Sequence, residues 1–341
     1  MTSVSVVVPC FTEERFPEIA AAVRSVLDQT HPAEVIVVVD HNDLLLQRLR
    51  RALRPQVRVV PNRFGRGASG GRNTGALLAT GELVVFMDDD EVAEPDWIER
   101  LVEAHRRTPT AVGLGGAVRA RWPGGTPHWF PEEFSWAVGG TEPRPGPTDV
   151  RNVWGGNLAV RRESFLAAGG FAADFGKVGH ASQPEDTELC LRMNDRSGPG
   201  ARWRFVPGAV ISHEVPPERR TVRFFLHRTW SEGAGKRVMS HLSQSNSAVL
   251  AEEHAFVRTV LTRGVARNVL AVVRGDVWGL ARAGMILLGV GSAGLGYLSA
   301  SRRPSPHPGR RGSAHETPAS VPLVEPAARS DRGYARREAQ A

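Results

Sequence analysis

The chain opens on two alternating patterns. Val4-Ser5-Val6-Val7-Val8 is a short β-branched run closed by Pro9, which reads as a strand. Over 18–29 the apolar positions Ile19, Ala22, Val23, Val26 and Leu27 fall on one face of a helix. A second buried strand over 34–40 ends in Asp40, a helix is expected over 44–53, and a third strand over 57–61. A Gly-rich loop then leads into a helix over 70–79, and a fourth strand over 83–87. Near-continuous apolar strands alternating with helices predict an α/β fold: a mostly parallel sheet covered on both faces. Ligands of such sheets bind beyond the carboxyl ends of the strands. Pro9, Asp40 and Asp88 to Asp90 lie at those ends and should converge.

Past Gly115 the pattern loosens. Residues 122–147 are rich in Gly, Pro and Trp and read as irregular loop, and 152–160 returns to strand character. A short helix over 162–168 is stopped by Gly169-Gly170. Pro184-Glu185-Asp186 opens a further helix, and 203–206 and 209–213 read as two strands. Residues 222–300 are mainly helical. Within them 228–236 is Gly-rich and basic, and fits either a lid or a helix-terminating loop. Residues 283–300 are 18 uncharged positions with five glycines, flanked by Arg282 and Arg302-Arg303. That run is short of the ~20 residues a membrane span needs. It fits a span, an interfacial helix or a buried helix. From Ser301 on, Pro, Ser, Arg and Ala without periodicity predict a disordered tail.

Composition adds limits. With 41% apolar and 23% charged residues the chain is globular in type. Its net charge is +7, of which the tail 301–341, with eight Arg against four acidic residues, carries +4. The remaining +3 on 300 residues does not suggest a nucleic-acid-binding body, so no nucleic acid is expected as a partner. Cys10 and Cys190 lack metal-ligand spacing and read as reduced core thiols of a cytosolic protein. The N-terminus has no charged n-region and starts directly on a strand, so a signal peptide is not expected.

The chemistry concentrates at Asp88-Asp89-Asp90-Glu91. Four successive carboxylates repel one another, and burying them unpaired is costly. A positive group should sit there, most simply Mn2+ or Mg2+, which take carboxylate oxygens together with phosphate oxygens. The competing reading is a solvated acidic loop ahead of the next helix.

Several segments together resemble a family 2 glycosyltransferase of the GT-A fold, over about residues 3–240. Val6-Val7-Val8-Pro9-Cys10-Phe11-Thr12-Glu13 is similar to its VVPxxNE opening, with Thr12 in place of Asn. Val38-Val39-Asp40 resembles the VVDD strand end, with His41 replacing the second Asp. Residues 68–76 resemble the ARNxG helix start, and Asp88-Asp89-Asp90 the DxD motif. Gly155-Gly156-Asn157 with Arg161-Arg162 resembles the GGNxAxRR segment, Glu185-Asp186 the ED motif, and His213 a late His.

That resemblance implies a catalytic domain over 1–240, with a nucleotide-sugar half over 1–115 and an acceptor half over 116–240. A helical, membrane-associated segment over 241–300 and the basic tail over 301–341 would follow. It implies inverting, metal-dependent transfer from a nucleoside diphosphate sugar to a hydroxyl acceptor. The basic apolar stretches over 256–300 and the lack of a signal peptide add the expectation of a glycan or polyprenyl-linked acceptor at the cytoplasmic face of the plasma membrane. Asp186 would be the general base. Pro9, Phe11, Glu13, Asp40, Arg72, Asn73 and Asp88 would hold the donor. Trp154, Gly155, Gly156, Asn157 and Glu185 would face the acceptor, and Asp88, Asp90 and His213 the metal. Asp89 would turn away, since alternate strand residues face opposite sides.

Plainer roles compete. Asp40 would cap the next helix, Asp186 would merely favour a helix start, Arg72 and Asn73 would be first-turn residues, Trp154 core, and His213 an ordinary strand-end residue. At the level of function the alternatives are a non-catalytic nucleotide-sugar-binding subunit on the same fold and a transferase acting on a soluble acceptor. A nucleotidyltransferase is disfavoured, because residues 9–16 contain no Gly.

Overall fold

The computed structural model describes residues 2–300, apart from 142, 143, 145, 173–176, 179–180, 183–184, 199 and 243–256. The expected disordered tail over 301–341 lies outside the described residues. Strands and helices alternate through the first third: β1 (Val4–Cys10), α1 (Phe16–Leu27), β2 (Glu34–Val39), α2 (Asp43–Ala52), β3 (Val57–Pro61), α3 (Ala68–Leu78) and β4 (Leu83–Phe86). There follow β5 (Glu91–Ala93), α4 (Trp97–Arg107), β6 (Gly113–Arg121), β7 (Thr148–Val150), β8 (Leu158–Arg161) and α5 (Arg162–Ala167). A small hairpin of β9 (Lys177–Val178) and β10 (Ala181–Ser182) precedes α6 (Glu185–Ser197) and β11 (Trp203–Glu214). Helices α7 (Val222–Leu242), α8 (Val265–Val273) and α9 (Gly279–Ala300) complete the described chain, with a π-helical turn Val260–Gly264 leading into α8.

Nine strands form the main sheet, in the order β3-β2-β1-β4-β8-β6-β11-β5, with β7 also on β11. The first four are parallel. The parallel character stops at β4: β8 runs antiparallel to both β4 and β6, while β6 and β11 are parallel. The two strands expected at 203–206 and 209–213 are one strand, β11, bulged between Val206 and Val210.

Side chains alternate across the sheet as the period of two requires. Val6, Val8, Val35, Val37 and Val85 face α1, α2 and α4, whose Ile19, Val23, Leu45, Leu49, Trp97 and Leu101 complete that layer. Val7, Ile36, Val84 and Phe86 face the other way, onto Ala76, Phe165, Phe171, Leu189 and Trp203. Cys10 and Cys190 are buried free thiols. Gly75 of α3 sits so close to β1 that a Cβ there would lie 2.2 Å from Val7 Cγ1. That contact presses the N-terminal turns of α3 over the carboxyl end of the sheet.

The stretch 122–141 is more ordered than its composition suggests. It contains the 3-10 segment Glu132–Val138, and Trp129, Phe130 and Phe134 pack edge-on against Phe225 of α7. Aromatic burial supplies the order that periodicity did not announce. Residues 228–236 are neither lid nor terminator: they lie inside the continuous helix α7. Gly233 and Gly296 are notches for close helix packing. A Cβ on Gly233 would lie 1.9 Å from the Ala293 carbonyl oxygen, and one on Gly296 2.0 Å from that of Trp230. The run 283–300 therefore belongs to a helix packed along α7 by one face.

Candidate active site

The loops at the carboxyl end of the sheet carry the candidate residues. Phe11 follows β1 and is 57% exposed. Thr12 caps the 3-10 turn Glu13–Arg15 by accepting from the Glu14 N–H, and Pro9 lies against α3 beside Gly71. Asp40 does not cap α2; Asn42 does, accepting from the Leu45 N–H. Instead Asp40 accepts from Asn62 Nδ2 at 2.7 Å and from the Gly67 N–H at 2.9 Å. His41, at φ 51°, places Nδ1 2.7 Å from Asp40 Oδ1. Asp40 thus ties the end of β2 to the loop that turns, through Gly67 at φ 119°, into α3.

The acidic run is neutralised by two guanidiniums. Arg15 Nη1 lies 2.9 Å from Asp89 Oδ1 and 3.1 Å from Asp90 Oδ2. Arg72, 4% exposed, reaches Asp88 Oδ1 with Nη2 at 2.6 Å and Glu185 Oε1 with Nη1 at 3.0 Å. Asp89 is buried and turned onto Arg15, away from Arg72 and His213. Glu91 is buried and accepts from the Asp88 N–H at 2.9 Å. Because β5 pairs antiparallel with β11, Glu91 stands opposite His213, and His213 Nδ1 comes 3.7 Å from Asp90 Oδ1. Residues 123 positions apart thus meet through one strand pairing. Arg219 Nη1 stands behind the imidazole, 3.5 Å from Nε2.

Across Arg72 lies the start of α6. Asp186 Oδ2 accepts from the Gly155 N–H at 3.2 Å, and Oδ1 from the Thr187 N–H at 2.7 Å. Gly155 lies directly against the Arg72 guanidinium, and Gly156 against Glu91 and Asp88. A Cβ on Gly156 would be 2.8 Å from Glu91 Oε1, so only glycine passes there. Trp154 is 36% exposed and is not core.

These settings separate the carboxyls. Burial pushes Asp186 up to about 6, reinforced by Glu185 and only partly offset by the Thr187 and Gly155 N–H groups. Burial would raise Asp90 too, but His213, Arg15 and Arg219 together hold it below the ordinary Asp value. Asp89 is pushed up to about 6 by burial in spite of Arg15, and Glu91 well above the ordinary Glu value by burial and by Asp88. Burial would lower Arg72, and Asp88 and Glu185 outweigh it, so Arg72 stays charged.

Two expected contact residues are structural struts. Asn73 is buried, with Nδ2 donating to the Phe171 carbonyl at 2.8 Å and Oδ1 accepting from the Phe171 N–H at 2.9 Å. Its amide is used up inside the protein and is not presented to a donor. Asn157 is 0% exposed; it accepts from Trp97 Nε1 and donates to the carbonyls of Ala117 and Ala209. It faces the core and not an acceptor. In the other direction, sequence reading missed Arg15, Arg219 and Asn62. The acidic run announced that a cation was needed, but not that Arg15 and Arg72 supply it.

Asp90 and His213 are the donors that fit a divalent cation, as one oxygen and one nitrogen converging on the same space. Asp88 has one oxygen committed to Arg72. Among the described residues no three His, Cys, Asp or Glu side chains form a closed cage.

A family model described as "Glycosyl transferase family 2" matches residues 5–167. The glucosyl-dolichyl phosphate glucuronosyltransferase of Haloferax volcanii is 37% identical over 245 residues, covering 70% of this chain and 78% of that protein. The succinoglycan biosynthesis protein ExoM of Rhizobium meliloti is 30% identical over 227 residues, covering 64% and 70%. Among solved structures, GalNAc-T7 with UDP, GalNAc and Mn2+ superposes with a TM-score of 0.50 at 18% identity. That match spans 68% of this chain and 48% of the other, and the likeness is one of fold.

Proposed function

This chain belongs to glycosyl transferase family 2 and is a glycosyltransferase, and from that premise we propose that it moves a sugar, with inversion, from a nucleoside diphosphate sugar to a hydroxyl of a lipid-linked glycan. The observation that carries the mechanism is the Arg72 bridge. One guanidinium holds Asp88, at the end of β4, and Glu185, next to Asp186, so the donor side and the base side are fixed to each other. Residues 1–115 supply the donor side and 116–240 the acceptor side.

In this reading Asp40, Pro9, Phe11 and Glu13 border the nucleoside, and Arg72 and Asp88 the ribose and diphosphate. Asp186 Oδ2 takes the proton from the acceptor hydroxyl as that oxygen attacks the anomeric carbon on the face opposite the diphosphate. A carboxylate raised to about 6 is still ionised at neutral pH yet basic enough to share that proton. Trp154, Gly155 and Gly156 form the wall against which the acceptor lies. Asp90 and His213 would hold Mn2+ or Mg2+, which when bound supplies positive charge for the departing diphosphate. GalNAc-T7 carries Mn2+ and UDP, and we extend both to this chain.

The lipid-linked acceptor is supported by the Haloferax volcanii relative, named for a dolichyl-phosphate-linked glucose, and by the apolar helix α9. The site would then work at the cytoplasmic face of a membrane. Purified protein should transfer sugar from one of a panel of nucleotide sugars to a polyprenyl-phosphate-linked acceptor in detergent, and lose that activity in EDTA. Full activity in EDTA would overturn the metal assignment, and transfer to soluble glycans alone would overturn the acceptor.

A further inference from the structure

Helix α9 is two-sided. One side packs on the catalytic body: Met285, Ile286 and Gly289 are buried, Gly289 lies against Phe134 and Phe225, and Gly296 against the α7 backbone. The other side carries Leu280, Leu287, Leu288, Leu295 and Leu298, all exposed. Between them lie Gly284, Gly291 and Gly294, each open to space. No polar side chain interrupts this face along 22 residues, about 33 Å of helix. The preceding segment extends it with Leu270, Val273, Val277 and Trp278, of which Val273 is 83% exposed.

Charge says what covers the face. Residues 257–300 hold five Arg and one Asp. Arg267 is paired with Glu132 and Glu133, and Arg282 with Asp276. Arg258, Arg263 and Arg274 are exposed and, among the described residues, have no ion pair. A basic apolar strip is complementary to an anionic lipid surface. A second copy would set one net-positive strip against another.

The face cannot be a span while α9 holds its place. Ser292 Oγ donates to the Leu226 carbonyl at 2.8 Å, and Arg237 Nη1 reaches the Tyr297 hydroxyl at 3.1 Å. Helix α7 runs alongside in the same direction and carries Arg228, Glu232, Lys236 and Arg237. A transmembrane α9 would either drag those charges into hydrocarbon or tear away from them.

We propose that α8 and α9 lie flat in the headgroup region of an anionic bilayer, leucine side down, as a docking surface and not a span. The proposal rests on the reading that the acceptor is lipid-linked, and it says how the site meets that lipid. The 3-10 segment Glu132–Val138 joins the two regions: Glu133 holds Arg267, and Gly139 at its end lies against the His213 ring. The candidate metal-binding wall is therefore built on the element that rests on the docking helices.

The test uses the full chain with phosphatidylcholine vesicles, with and without phosphatidylglycerol. Flotation should require the anionic lipid and weaken with salt. Leu287→Glu with Leu295→Glu should cut it at least about tenfold, since each buries an exposed leucine in the proposed contact. Both positions are exposed, so an unchanged melting curve checks the fold. Nitroxide labels on Leu280→Cys, Leu287→Cys and Leu298→Cys should report one shallow depth. Depths passing through a maximum along the helix would overturn the flat orientation, as would flotation indifferent to the glutamate pair. Self-association of the lipid-free protein that the glutamate pair abolishes would assign the face to a second copy and overturn the proposal. Transfer to a lipid-linked acceptor in detergent without vesicle binding would sink the docking surface alone. Vesicle binding with transfer only to soluble glycans would sink the acceptor reading and leave the surface standing.

Discussion

Asp90 and Asp186 are the same side chain in two settings. Asp90 stands among His213, Arg15 and Arg219, and these neighbours outweigh its burial and keep it ionised. Asp186 sits at a helix start beside Glu185, with two backbone N–H donors and no cation of its own, and burial lifts it to about 6. Arg72 reaches Glu185, beside Asp186 in sequence, with Nη1, and Asp88, on the same acidic run as Asp90, with Nη2. The difference sorts chemistry: a carboxylate kept charged by cations suits charge stabilisation, and one left basic by desolvation suits proton transfer.

The sharpest way to break this division is Asp186→Asn. The amide oxygen can accept from only one of the two N–H donors, and the side chain cannot accept a proton, so kcat should fall roughly 10²–10⁴-fold. Donor affinity, measured by thermal shift with nucleotide sugar, should stay. The sign for stability follows from the raised pKa: Asp186 favours the fold while protonated and loses that contribution as pH rises through about 6. At pH 8 the variant is relieved of a buried charge but leaves one N–H without its acceptor, so its stability should stay close to that of the parent. Loss of donor binding with normal turnover at saturation would move Asp186 to the donor side.

Asp90→Asn tests the other arm. Removing the charge should cost on the order of 10²–10³ in kcat and weaken activation by Mn2+ in a titration, while the melting temperature stays near that of the parent. Unaltered metal activation would leave His213 and Asp90 as a structural pair. A smaller effect is the pH profile. The rate should drop about tenfold per pH unit below about 6, as the base protonates. Asp186→Asn should flatten that acid limb, and a limb that survives it belongs to another group.

Arg72→Met asks whether the two sides are fixed to each other. It strips a buried cation from Asp88 and Glu185, and breaking such a pair costs ~3–5 kcal/mol when both ends are buried. Asp88 is partly exposed, so about 3 kcal/mol is expected in denaturant unfolding. Arg72→Lys should recover only part of it, because one ammonium cannot fork to both carboxylates.

Much of this was legible before the structure. The parallel half, β1 to β4, is written in β-branched runs and helical spacing, and the acidic run after β4 pointed to a cleft. The second half was harder for physical reasons. Strand β8 joins antiparallel, and nothing in Leu158 to Arg161 encodes direction. The order of 129–138 rests on aromatic contacts with Phe225, far away in sequence. Motif residues were found more easily than their orientation: Asp40 braces a loop instead of capping a helix, and Arg15 sits in a stretch that carries no pattern of its own.

Asn157 is the plainest case, and it gives the smallest effect. Its motif put it beside an acceptor, and the fold turns it inward to join Trp97 of α4 to the carbonyls of Ala117 and Ala209. Trp97→Phe keeps nearly all of the buried ring and removes one donor, leaving Asn157 Oδ1 without that partner in the core. An unpaired buried acceptor costs about 1–3 kcal/mol, read as a lower midpoint in urea with an unchanged slope. Acceptor KM should not move, because the bond lies behind the wall formed by Gly155 and Gly156. A KM that rises while stability holds would return Asn157 to the acceptor side and undo the separation between strut and site.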